Sequence, residues 1–155
     1  MMELLTPMNK SERVSRKVDP DTFIAEPGIW GATQTDGSID LITDNASTVV
    51  NKLVMTSNSS SPYESQDVEV GRITTMESIG MRVKVDSAGF ALTPALGDFL
   101  MVSSTPAYKG KLVSIGDEVE VTGNREVVAR CEESNMTEGW IIYRTISPYS
   151  VAVVT

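Results

Sequence analysis

The sequence predicts an all-β protein: a small β-barrel or sandwich of about eight short strands over residues 21–155, preceded by an extended N-terminal arm over residues 1–20. Three observations carry this expectation. Apolar and polar residues alternate with a period of two in several runs. Turns bearing glycine or proline interrupt the chain at short intervals, and no window of a dozen residues keeps a convincing 3.6-residue period.

Residues 1–20 mix polar and charged side chains with Pro7 and Pro20, so they read as an arm with at most a short helix around Ser11–Lys17. From Phe23 onward, β-prone runs follow one another. They are Val49–Met55, Asp67–Thr74, Met81–Asp86, Phe99–Ser103, Glu118–Thr122, Glu126–Glu132, Trp140–Ile146 and Ser150–Val154. Met81–Asp86 alternates cleanly, with Met81, Val83 and Val85 on one face and Arg82, Lys84 and Asp86 on the other. Such a strand has one face for a core and one for water. The connectors Asp36-Gly37, Ala88-Gly89, Ile115-Gly116-Asp117, Gly123-Asn124 and Glu138-Gly139 are expected to supply the positive-φ residues of tight turns, and Pro62, Pro94, Pro106 and Pro148 are expected in loops.

Composition narrows the function. A chain of 155 residues buries roughly 70% of its unfolded surface, enough for one core without covalent staples. It contains no histidine and a single cysteine, Cys131. Histidine-based triads, histidine zinc sites, thiolate cages and redox dithiols are thereby excluded within one chain. Cys131 sits in the alternating run Glu126–Glu132 and reads as a small core hydrophobe. No glycine-rich phosphate cradle occurs. The carboxylates Asp40, Asp44, Asp117, Glu118 and Glu120 lack the spacing of a calcium loop, so no metal, cofactor or catalytic residue is expected.

The net charge of −8 repels phosphate backbones; the one candidate basic patch, residues 1–20 with Lys10, Arg13, Arg16 and Lys17 against Glu3, Glu12 and Asp19, carries a net charge of only +1. Nucleic acid is therefore not an expected partner. Apolar runs such as Phe99–Val102 and Trp140–Tyr143 are far shorter than a membrane span, and no apolar stretch follows the N-terminal methionines, so no membrane association is expected either. What remains is a protein that binds and assembles.

One resemblance sharpens this. Gly97-Asp98-Phe99-Leu100-Met101-Val102, the run from Gly116 to Gly123, Val128-Ala129-Arg130-Cys131 and Trp140-Ile141-Ile142-Tyr143-Arg144 together resemble the small β-modules of tailed-bacteriophage capsid decoration (cement) proteins. The resemblance spans Leu96–Ser147, about a third of the chain. It implies a non-enzymatic viral structural protein, made in the host cytoplasm and placed on the capsid surface of the virion. It also implies a homotrimer that binds across major capsid protein subunits. The alternatives are a tail-tube or head-to-tail connector subunit, or a β-rich ligand-binding module. On the assembly reading the exposed faces of alternating strands become interfaces. Lys10, Arg13, Arg16 and Lys17 are then candidates for ion pairs with a partner, and Trp30 and Tyr63 for loop-borne aromatic anchors, with packing beneath their own loops as the competing role.

Overall fold

The computed structural model describes residues 2–6, 13–17, 28–33, 37–40, 53–56, 72–103, 105, 107–117 and 124–152. All regular structure among them is β, in eleven strands and two antiparallel sheets. The strands are β1 (Met2–Leu4), β2 (Arg13–Lys17), β3 (Trp30–Thr33), β4 (Ile39–Asp40), β5 (Leu53–Thr56), β6 (Arg72–Met76), β7 (Arg82–Asp86), β8 (Phe99–Val102), β9 (Leu112–Ser114), β10 (Asn124–Asn135) and β11 (Trp140–Ala152). An open six-stranded sheet runs β1-β7-β11-β10-β8-β9, and a five-stranded sheet runs β2-β6-β5-β3-β4.

The long hairpin β10–β11 is the centre of the larger sheet. Asn135 opposes Trp140, and the intervening turn is closed by the Gly139 amide donating to the Asn135 carbonyl at 2.9 Å and the Glu138 amide donating to Asn135 Oδ1 at 3.0 Å. Gly139 takes φ +76°, the left-handed conformation that favours glycine. The hairpin register slips twice, between Val127 and Ala129 and between Cys131 and Glu133. The first slip leaves Ile146–Pro148 of β11 opposite Val128 alone, which is where a strand tolerates a residue without an amide proton. Pro148 was expected in a loop; it sits inside a strand because the irregularity relieves it of ladder duty.

Side-chain alternation then sorts residues to two faces. Val83, Val85, Ile141, Tyr143, Cys131, Ala129 and Leu100 point inward, where they join Trp30 and Ala32 of β3 and Met76 of β6 in one buried cluster. The two sheets thus share a core. Gly110 stitches them: its carbonyl accepts from the Trp30 amide at 2.8 Å, its φ is +79°, and a Cβ there would stand 2.6 Å from Ile29 Cγ2. A smaller cluster of Ala91, Met101 and Val113, with Tyr108 and Ile115 packed against it, stabilises the β8–β9 end.

Several expectations need correction. Where at most a short helix around Ser11–Lys17 was expected, the described part, Arg13–Lys17, is β2, antiparallel to β6 with Arg16 opposite Ile73. The pairing comes from another part of the chain, so local propensity could not reveal it. Within the arm region, Met2–Leu4 pair with β7 and Arg13–Lys17 with β6, each at the margin of its sheet. Trp140–Ile146 and Ser150–Val154, read as separate strands, are joined into β11 as far as Ala152. Gly37 and Gly139 have the expected positive φ, whereas Gly89 and Gly116 do not; Leu92, at φ 61°, does. The expected strand Glu118–Thr122 lies outside the described residues.

Candidate functional site

The outward face of the larger sheet is built by the same alternation that fills the core. Register places Arg82 of β7 opposite Arg144 of β11, Arg144 opposite Arg130 of β10, and Arg130 opposite Phe99 of β8. Three arginines therefore stand in one row across three neighbouring strands, with an aromatic ring at its end. Like charges directly opposite one another repel, so such a row needs compensation. The register slip next to Cys131 supplies it through Glu132, which accepts from Arg82 Nε at 3.1 Å and from Arg144 Nε at 3.0 Å. Glu133 adds a 3.4 Å pair to Arg82 Nη2. The hydrogen bond from Arg144, helped by Arg82 and only partly opposed by burial, holds the Glu132 carboxyl below its ordinary range.

Aromatic side chains flank the row. Phe99 and Tyr149 meet edge to face with centroids 6.3 Å apart, and they remain 40% and 43% exposed. The Arg130 guanidinium lies 5.7 Å from the Phe99 centroid, and Lys84 Nζ lies 4.6 Å from that of Trp140. Trp140 donates its indole N–H to Glu138 at 2.8 Å. Partly exposed aromatic rings and arginines concentrated on one sheet face are the residue types that dominate protein interfaces. Part of this was readable. Alternation in Met81–Asp86 marks Arg82 and Lys84 as outward, but Phe99 heads an apolar run and looks like core, and the arginine row exists only once register is known.

A second feature lies where the sheets meet. A cleft of about 430 Å³ is lined mainly by apolar groups, among them Trp30, Met76, Met81, Val128, Ile146 and Pro148, with Ile79 exposed at its rim. Glu77 forms part of its wall with a side chain only 1% exposed. Its carboxylate is gripped by Arg16, with Nε to Oε2 at 2.7 Å and Nη2 to Oε1 at 2.8 Å, and it also accepts from the Thr75 hydroxyl. Thr145 closes the adjoining turn, accepting from the Met81 amide at 2.9 Å and donating to the Ser78 carbonyl at 2.8 Å.

Among the residues expected to meet a partner, Arg16 makes its bidentate pair within the chain and adds a 3.1 Å bond to the Gly37 carbonyl. Trp30 is not a loop-borne anchor: it begins β3, is 4% exposed and belongs to the core, because the β3–β5 pairing turns its indole under the sheet. Arg13 and Lys17 lie at the ends of β2. Lys10 and Tyr63 fall outside the described residues. Arg16 and Trp30 thus take no part in the arginine and aromatic face.

Cys131 is buried beside Tyr143, its partner in the ladder; burial first, and the Asp98 charge second, push its thiol up to about 11. Burial likewise raises the Tyr143 phenol, partly offset by the Trp30 indole. No group of three or more carboxylate, cysteine or histidine side chains converges among the described residues. Comparison with known proteins finds no matching family model, no similar curated protein and no similar solved structure.

Proposed function

We propose that this chain is a non-enzymatic assembly protein that decorates a tailed-phage head, docking across major capsid protein subunits as a homotrimer. The observation that carries the reading is the open face of the larger sheet, where Phe99, Tyr149, Trp140 and the row Arg82–Arg144–Arg130 gather on β7, β8, β10 and β11. The resemblance of Leu96–Ser147 to decoration-protein modules falls on three of the same strands. Multivalent attachment to a lattice lets a modest face of this kind hold firmly.

The paired sheets support a sandwich built on the shared cluster, with the smaller sheet curled toward a barrel. Were that sheet flat, β2 and β4 would stand about 19 Å apart across four strand spacings. Arg16 of β2 nevertheless reaches the carbonyl of Gly37, two residues before β4. Strands β1 and β2 support a less detached N-terminal region, one whose segments complete the sheet margins and could lie across a neighbour as well.

Light scattering on the purified chain, followed by co-sedimentation with expanded and mature phage heads, tests the proposal. A discrete trimer that pellets with heads supports it. Rings or tubes formed by the chain alone would favour a tail-tube or connector subunit, since heterologous contacts propagate. The apolar cleft favours a second reading, a ligand-binding module. Thermal stabilisation by small apolar compounds, with no affinity for heads, would favour that reading instead.

A further inference from the structure

The row of arginines is not evenly neutralised. Glu132 and Glu133 sit toward Arg82 and Arg144, which take the three salt bridges on this face among the described residues. At the other end Arg130 is exposed, and no carboxylate pairs with it among the described residues. Its Nε donates only a long 3.4 Å bond to the Gly97 carbonyl. Its guanidinium is held near the Phe99 ring, and Phe99 is in turn braced edge to face by Tyr149. A planar fork of donors, steadied near an aromatic ring and left without its natural counter-ion, presents the geometry a carboxylate accepts bidentately.

We propose that Arg130, with Phe99 and Tyr149, is the docking point for an acidic segment of a partner protein, in which a carboxylate seats on the guanidinium and a neighbouring apolar side chain lies on the two rings. This rests on the reading of the sheet face as an interface and names the partner's chemistry. Charge complementarity selects the occupant: Glu3, Asp86, Glu132 and Glu133 match the four cations Arg82, Lys84, Arg130 and Arg144 in number, but none of these carboxylates pairs with Arg130 among the described residues. The Arg130 charge left without a carboxylate attracts one at short range. The acidic remainder of the molecule disfavours an extended polyanion such as a nucleic acid. The apolar part of the segment follows from rings that are close to half exposed.

The experiment is an NMR titration of the isotope-labelled full chain with a short synthetic peptide alternating glutamate and leucine. Its glutamine counterpart and an oligothymidylate of matched charge serve as comparisons. The glutamate peptide is expected to shift the Arg130 Nε–H and the Phe99 and Tyr149 ring signals saturably, and the glutamine peptide to bind about tenfold more weakly. Arg130→Gln should weaken the glutamate peptide by a similar factor without changing the circular dichroism, because the side chain is exposed. Arg130→Lys should recover only part of the loss, since it keeps the charge and loses the fork. Equal binding of the two peptides, an Arg130→Gln variant of unchanged affinity, or tighter oligothymidylate binding at the same residues would overturn the proposal. Head decoration can fail while the peptide still binds at Arg130, and heads can bind while the peptide does not, so the two readings are separable.

Discussion

At the scale of single residues, burial decides which chemistry is silent. Cys131 is a thiol held up near 11 in the core, so it carries almost no thiolate at neutral pH. A thiol reagent is expected to label it only after denaturant unfolds the chain, and rapid labelling of the native protein would contradict its placement. Arg16 and Glu77 form the opposite case, a charge pair in which Glu77 has almost no access to water. Arg16→Ala takes the bidentate guanidinium away from that buried carboxylate and is expected to lower unfolding stability by about 3 kcal/mol in urea titrations. Replacing both partners with leucine should recover most of the loss, because the desolvation of two ions disappears with them. Glu132 is held below the ordinary carboxyl range, so its network stabilises the fold above about pH 4.5 and loses that contribution as pH falls through the lowered value. Its partners are substantially solvent-exposed, which limits the effect to roughly 0.5 kcal/mol. The stability gap between the protein and Glu132→Gln should therefore be present at pH 7 and close as the pH falls below the ordinary carboxyl range.

At the scale of elements, one hairpin turn and one junction between the sheets depend on left-handed backbone that favours glycine. Gly139 in the hairpin turn has a left-handed φ with open space around it, so Gly139→Ala is expected to cost about 1 kcal/mol. Gly110 has a similar φ, but a Cβ there meets Ile29 Cγ2 at 2.6 Å and the Trp30 carbonyl at 2.8 Å, so Gly110→Ala is expected to cost about 3 kcal/mol. Equal losses in thermal unfolding would show that the sheet junction yields to crowding. The strands that were legible in the sequence are those whose own side chains settle their burial. The inward Met81, Val83 and Val85 are buried as alternation requires, and Phe99–Val102 and Trp140–Ile146 were legible as strands too. The missed strands are short or depend on distant partners. β4 has two residues, β9 has three, β3 contains Gly31, and β2 is strand because β6 is beside it. The candidate face was half legible for the same reason. Outward positions can be counted along one strand, whereas the meeting of Arg82, Arg144 and Arg130 is a property of register across three.

At the scale of the whole molecule, one sheet divides its labour between two faces. Inward residues join β3 and β6 in a shared core, and outward residues gather arginines and partly exposed aromatic side chains. The central claim is that this outward face is where the molecule attaches to an assembly. Co-sedimentation of the full chain with expanded phage heads, beside a Phe99→Ala, Tyr149→Ala variant shown by circular dichroism to be folded, tests it most directly. The account predicts that the unaltered chain pellets with heads and that the variant stays largely in the supernatant. A chain that remains free of every head preparation, or a variant that pellets equally well, would contradict it.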